Sequence, residues 1–262
     1  MVPKIQLLDG CTFDFNKEYS CVEDLCVTVK SYDIAKIHQS NIDMGCKYIT
    51  TSNYLYTPKK CTDWRERVLD SCLVTQKLDK RFDTIILGCL PPYFENNQNG
   101  KIDNNFLLFY NELFDILDPH VDMYIIETCV SISHVISILN IMEKKNLSKD
   151  FFFSIHPKGN IKKRDIKFLI NLNYYNLKGI LINCCTFSEM LEYYSSNIKP
   201  IDISNYIFGF YLNFEENDID LYKLQDFLFD YKGTSNIIIG GNYGYNVEKM
   251  KDLINLIITA YN

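Results

Sequence analysis

The sequence predicts a single α/β domain over residues 1–262, folded as a closed (β/α)8 TIM barrel with trimmed loops. Three observations carry that expectation. Eight short, unbroken apolar runs recur along the chain, the pattern of strands buried on both faces of a parallel sheet. The segments between them show helical spacing, and no Gly/Ser linker or shift in composition divides the chain. Eight strand-helix units in 262 residues fill a barrel with little length to spare, whereas a doubly wound open sheet manages with fewer strands.

The runs are Ile5 to Leu8, Tyr48 to Thr51, Thr84 to Leu87, Met123 to Ile126, Phe151 to Ile155, Gly179 to Ile182, Ile207 to Leu212 and Ile237 to Ile239. Between the fourth and fifth, Ile132, Val135, Ile136, Leu139 and Met142 trace one face of a helix, as Val247, Met250, Leu253, Ile254, Ile257 and Ile258 do in the last segment. Thr186-Phe187-Ser188-Glu189 has the spacing of a capping box, which marks a turn from the sixth strand into a helix. His38 shares a helical face with Ile34, Ile37 and Ile42 and reads as a half-buried histidine, and Lys162-Lys163-Arg164 opens an outer helix. The prolines all fall between these elements or before the first strand, where a missing N–H is harmless. Residues 10 to 31 have no clear pattern and form a candidate loop over the barrel mouth.

Composition narrows the function classes. Lys and Arg number 27 against 33 Asp and Glu, mixed along the chain, so no basic stripe offers itself to a phosphate backbone and nucleic acid is not an expected partner. No apolar run approaches the roughly twenty residues of a membrane span, and the first ten residues lack the basic and apolar regions of a secretion signal. The expectation is a soluble, cytoplasmic protein. Its ten cysteines then read as packed or metal-binding thiols in a reducing compartment, not as a disulfide framework.

A barrel directs attention to the carboxyl ends of its strands, where active sites lie. Those ends are Asp9-Gly10-Cys11, Thr51-Ser52-Asn53-Tyr54, Gly88-Cys89, Glu127-Thr128-Cys129, His156, Asn183-Cys184-Cys185, Asn213 and Gly240-Gly241-Asn242-Tyr243. They are polar flanks on apolar strands. Two carboxylates, Asp9 and Glu127, stand among them. His156, before Pro157, is equally suited to cap a turn.

Taken in order, Leu8-Asp9-Gly10, the stretch Gly45 to Tyr54, Ile126-Glu127-Thr128, Ile182-Asn183-Cys184 and Ile239-Gly240-Gly241 resemble the homocysteine S-methyltransferase family over nearly the whole chain. The resemblance implies a homocysteine-binding barrel that transfers a methyl group from a small donor, such as S-methylmethionine or S-adenosylmethionine, to the homocysteine thiol to give methionine. It implies that Asp9 and Glu127 hold the substrate's α-amino group and that Gly10, Thr51 and Tyr54 line the amino-acid pocket. Tyr211-Leu212-Asn213 is similar to a Tyr-Pro-Asn segment of the family, which places Asn213 in the pocket. Cys184 corresponds to the first of three zinc-binding cysteines. Such a metal matters because a free thiol is only roughly 3% thiolate at pH 7, and zinc deprotonates it.

The chain departs from the family at two places. Asn242 and Tyr243 stand where the family carries two adjacent cysteines, and an amide and a phenol do not replace two soft anionic ligands. Zinc is therefore expected to be absent or weakly bound, unless Cys11, Cys89 and Cys129 build a relocated thiolate site with Cys184 or Cys185. Gly88-Cys89-Leu90-Pro91-Pro92-Tyr93-Phe94 also differs from the family's donor-side stretch. Two readings follow: a methyltransferase-like protein of compromised activity, or a catalytically inactive barrel kept for a structural role, with a protein partner or a second copy as its ligand.

Overall fold

The computed structural model describes residues 4–10, 31–93, 102–172, 176–213, 219–231, 236–242 and 247–261. Eight parallel strands close into a barrel in sequence order, with the first paired to the last. The strands are β1 (Lys4–Asp9), β2 (Cys46–Thr50), β3 (Ile85–Leu90), β4 (Met123–Cys129), β5 (Phe151–Ile155), β6 (Leu177–Asn183), β7 (Ile207–Leu212) and β8 (Asn236–Gly241). The helices are α1 (Ser31–Asp43), α2 (Trp64–Gln76), α3 (Asn104–Leu117), α4 (Ile132–Lys144), α5 (Lys163–Asn171), α6 (Phe187–Tyr193), α7 (Leu221–Asp230) and α8 (Val247–Tyr261). The predicted barrel is the observed one. The loop expected over residues 10 to 31 lies almost wholly outside the described residues, as do Cys11, Phe94 and Tyr243.

Two apolar layers explain why the runs are unbroken. One cluster fills the barrel interior with one side chain from each strand: Leu8, Tyr48, Leu87, Ile125, Phe152, Leu181, Tyr211 and Ile238. Their alternating neighbours, such as Ile49, Ile86, Ile126, Phe153, Ile182 and Phe210, point the other way into a larger cluster shared with the helices. On α3 alone, Phe106, Phe109, Tyr110, Leu113, Phe114 and Leu117 are buried, each burial contributing about 1.5–3 kcal/mol.

Helix starts are fixed by side chains that meet the unpaired amides of the first turn. The Thr186–Glu189 capping box forms with both of its hydrogen bonds. Asp103 accepts from the Phe106 amide ahead of α3, and Asp220 from the Tyr222 and Lys223 amides ahead of α7. The Thr186 cap falls just past the end of β6 and starts the turn into α6. Among the described residues, no helix is long and apolar enough to cross a membrane.

Candidate active site

The ends of β4 and β6 share one local device. Glu127 and Asn183 point inward, each is followed by a residue with positive φ (Thr128 at 50° and Cys184 at 54°), and the next residue, Cys129 or Cys185, packs into the outer layer. Positive φ is unfavourable for a residue with a Cβ, most of all a β-branched one. At Thr128 the strain coincides with a register irregularity between β4 and β5, a bulge of the kind that re-aims a side chain beside a functional site.

Around Glu127 the device gathers a buried polar network. The carboxylate accepts a hydrogen bond from Asn183 Nδ2 at 3.1 Å and a very short one from the Tyr211 hydroxyl. Asn183 is held in turn by Ser154, whose hydroxyl donates to its Oδ1 at 2.8 Å. The Asn183 amide also lies 2.9 Å from Thr128 Oγ1 and 3.5 Å from Cys184 Sγ. Tyr54 joins through a hydrogen bond to Thr128, and burial raises its phenol well above the ordinary range. Every recorded partner of Glu127 is neutral. Burial accordingly pushes its carboxyl up to about 7, with the Tyr211 bond pulling the other way.

Glycine at position 10 fits this network. A Cβ there would stand 2.7 Å from the Gly241 carbonyl oxygen and 2.7 Å from Tyr211 Cδ2. Gly10→Ala is therefore expected to push β1 from β8 and the Tyr211 ring off Glu127. A loss of about 1–3 kcal/mol is expected in urea unfolding, with weaker ligand binding in the same samples; an alanine variant as stable as its parent would show that the mouth tolerates the displacement.

Asp9 lies elsewhere. Leu8 fills the barrel interior, so the alternation of β1 turns Asp9 towards α1. There its Oδ2 meets His38 Nδ1 at 2.6 Å, and His38 Nε2 meets Ser52 Oγ at 2.9 Å. All three are buried. A carboxylate is acceptor-only, so Nδ1 carries a proton and donates it. The resemblance has Asp9 and Glu127 converge on the substrate's α-amino group; in the structure Asp9 is hydrogen-bonded to His38. The histidine expected to be half-buried is only 1% exposed, and it clasps β1, α1 and the turn after β2.

The remaining pocket residues are placed as follows. Thr51 donates to Asn53 Oδ1 at 2.6 Å and accepts from the Cys89 amide at 2.9 Å, while Asn53 donates to the Cys89 carbonyl, a latch between β2 and β3. Asn213 follows β7, and its Oδ1 is buried without a hydrogen-bond partner. Tyr211 and Asn183, which the sequence places in motifs at strand ends without giving them a role, and Ser154, which no pattern marks, are further functional candidates. Their inward positions follow from strand alternation once the register is known.

Among the described residues, the cysteines do not assemble into a metal site. The Cys184 sulfur receives a hydrogen bond from Asn242 Nδ2 at 2.9 Å and touches Thr128 Oγ1 at 3.5 Å. Burial pushes its thiol up to about 11, so the sulfur stays protonated. Cys129 turns away from the mouth, with its thiol donating to the Ile126 carbonyl. The bulge at Thr128 turns Cys129 to the outer face, away from Cys184; Cys11, another member of the expected relocated cluster, lies outside the described residues. Cys89 is fully buried. Among the described residues no group of three or more His, Cys, Asp or Glu is placed to hold a metal ion, and none of the seven described cysteines forms a disulfide. With no second thiolate or imidazole placed beside Cys184 among the described residues, and an amide N–H aimed at its sulfur, the residues present do not fit zinc.

Fold and site together define a β/α barrel whose mouth carries a buried acidic group met, among the described residues, by the neutral donors Asn183 and Tyr211. The family within that class is given by comparison: residues 5–255 match the homocysteine S-methyltransferase family, and the chain belongs to it. Solved structures of the homocysteine methyltransferase MmuM from Escherichia coli are similar in fold. The metallated form is 13% identical with a TM-score of 0.72, covering 99% of this chain and 96% of that one. The oxidized form is 15% identical with a TM-score of 0.73, covering 98% and 96%. A 3-dehydroquinate dehydratase from Geobacillus kaustophilus HTA426 shares the barrel at 9% identity and a TM-score of 0.54, over 98% of this chain and 91% of its own. No curated protein sequence matches significantly.

Proposed function

We propose that this barrel binds a small α-amino acid of the homocysteine type through its ammonium group at Glu127, and that it transfers a methyl group to the thiol slowly, without zinc. The observation that carries the reading is Glu127 itself. A buried carboxylate is costly to ionise unless a cation meets it, and its recorded partners here are the neutral Asn183 and Tyr211. An arriving ammonium supplies the missing charge and draws the carboxyl back to its ionised form.

The residues present bind and orient the substrate. Ser154 and Tyr211 set the Asn183 amide and the Glu127 carboxylate, and the ammonium fixes the rest of the amino acid against them. The thiol then reacts from its own small thiolate fraction, roughly 3% at pH 7, with a sulfonium donor such as S-methylmethionine or S-adenosylmethionine. Sulfur takes the methyl, the donor's carbon–sulfur bond breaks, and its electron pair leaves with the donor as a neutral sulfide. The thiol proton passes to water.

Calorimetry with homocysteine, followed by a methionine-formation assay with each donor, tests this. The parent protein is expected to bind homocysteine, Glu127→Gln to lose that binding, and turnover to rise close to tenfold per pH unit up to about pH 8.5 as the thiolate fraction grows. Absence of homocysteine binding at pH 8 would overturn the reading. The Asn242 amide on Cys184 favours a second one, an inactive barrel with a structural or protein-binding role, for which binding without turnover on any donor would speak.

A further inference from the structure

Three side-chain atoms at the ends of barrel strands are buried with no hydrogen-bond partner among the described residues: Thr50 Oγ1 on β2, His156 Nδ1 just after β5 and Asn213 Oδ1 just after β7. An unmet buried polar atom destabilises a fold, and one that persists calls for an explanation such as a ligand that completes it. All three lie on the strand ends where this fold binds its ligands.

His156 says most about the ligand. Ser154 joins the network around Glu127 and Ile155 packs into the outer layer, so alternation turns His156 back towards the mouth. The residue is 8% exposed. Its ring is hydrogen-bonded to the Asn183 backbone; with Nδ1 unpartnered, the donor is Nε2–H, and Nδ1 is left as a bare lone-pair acceptor. Burial lowers its pKa and favours the neutral imidazole; Lys158 acts in the same sense, while the Asn183 bond and Glu189 oppose it. Because β5 stands between β4 and β6, this acceptor sits between the strands that carry Glu127 and Asn183.

We propose that His156 binds the tip of the ligand's side chain, accepting a hydrogen bond at Nδ1 from a terminal S–H or O–H. The site then takes a small α-amino acid whose side chain ends in a donor. This rests on the amino-acid reading of Glu127 and adds a second anchor to it. The chemistry gives the anchor a direction: methylation removes the thiol's only proton, so a thioether product leaves Nδ1 unmet again and is released in favour of fresh thiol.

The test compares two amino acids of nearly equal shape, homoserine, which ends in O–H, and norvaline, which ends in a methyl group. Their dissociation constants are measured by calorimetry on the full chain and on His156→Phe. The parent is expected to prefer homoserine, and the homoserine-to-norvaline affinity ratio to fall roughly tenfold in the variant. A second measurement uses the parent alone: the ¹⁵N resonance of the His156 Nδ1 is expected to move on saturation with homoserine and to stay in place with norvaline. An unchanged ratio, or an Nδ1 resonance unmoved by saturating homoserine, overturns the role of His156 while leaving Glu127 as an ammonium site. If neither amino acid binds the parent, the reading of Glu127 falls and this inference falls with it.

Discussion

Glu127→Gln is expected to be more stable than the parent protein at pH 8 and about equal to it at pH 4.5. The reason lies in the carboxyl group, raised from an ordinary value near 4.5 to about 7 by burial. A folded-state pKa above the unfolded one means that the native protein holds its proton longer. The associated stability is fully present below pH 4.5 and is lost as pH rises through about 7. Over that window the parent forfeits about 3 kcal/mol. Glutamine forfeits none, and its carbonyl oxygen can still accept from Asn183 and Tyr211. Urea unfolding at the two pH values, with the slope of free energy on denaturant held constant, reads the difference directly. Parallel pH dependence in the two proteins would mean that Glu127 does not titrate in this window. In the proposed reading the destabilising residue is also the one that binds: an amino acid with an ammonium group is expected to raise the parent's unfolding temperature at pH 8 and leave the glutamine variant's unchanged.

The barrel was legible because its strands are short, greasy and evenly spaced, and because nothing but a closed parallel sheet buries eight such runs in so short a chain. Strand limits ran further than the apolar runs. β3 continues through Gly88, Cys89 and Leu90, and β6 begins at Leu177 and ends at Asn183, because pairing with neighbours on both sides satisfies backbone groups whatever the side chain. Glu127 was legible as a carboxylate at a strand end. Cys129 was not, since a regular strand would return it to the face of Glu127, and the positive φ at Thr128 that reverses it leaves no mark in a sequence of β-branched and small residues. The Asp9–His38–Ser52 clasp was hidden for a different reason. Its members are separated by 29 and 14 positions along the chain, and a helical pattern identifies the buried face of α1 without saying which carboxylate the face meets.

That clasp carries the other large expectation. Replacing His38 by leucine keeps most of the volume but takes from the buried Asp9 carboxylate its 2.6 Å donor and from Ser52 its 2.9 Å partner. Hydrogen bonds to charged groups contribute about 1.5–3 kcal/mol each, and removing one side of a buried pair costs about 3–5 kcal/mol. A loss of about 3 kcal/mol is expected by urea unfolding. Much of the cost belongs to the carboxylate, so it should shrink when the carboxylate is gone. In the Asp9→Asn background His38→Leu is expected to cost at least 1 kcal/mol less, a coupling that a double-mutant cycle isolates. Additive single-mutant effects would show that the two side chains pack as neighbours without a strong bond. The effect should also reach the mouth. Asp9 precedes Gly10, where an added Cβ would meet the Gly241 carbonyl and the Tyr211 ring, and Tyr211 donates to Glu127. Loosening the end of β1 thus frees the ring that orients the carboxylate, and amino-acid affinity should fall in His38→Leu although His38 itself faces away from the barrel interior.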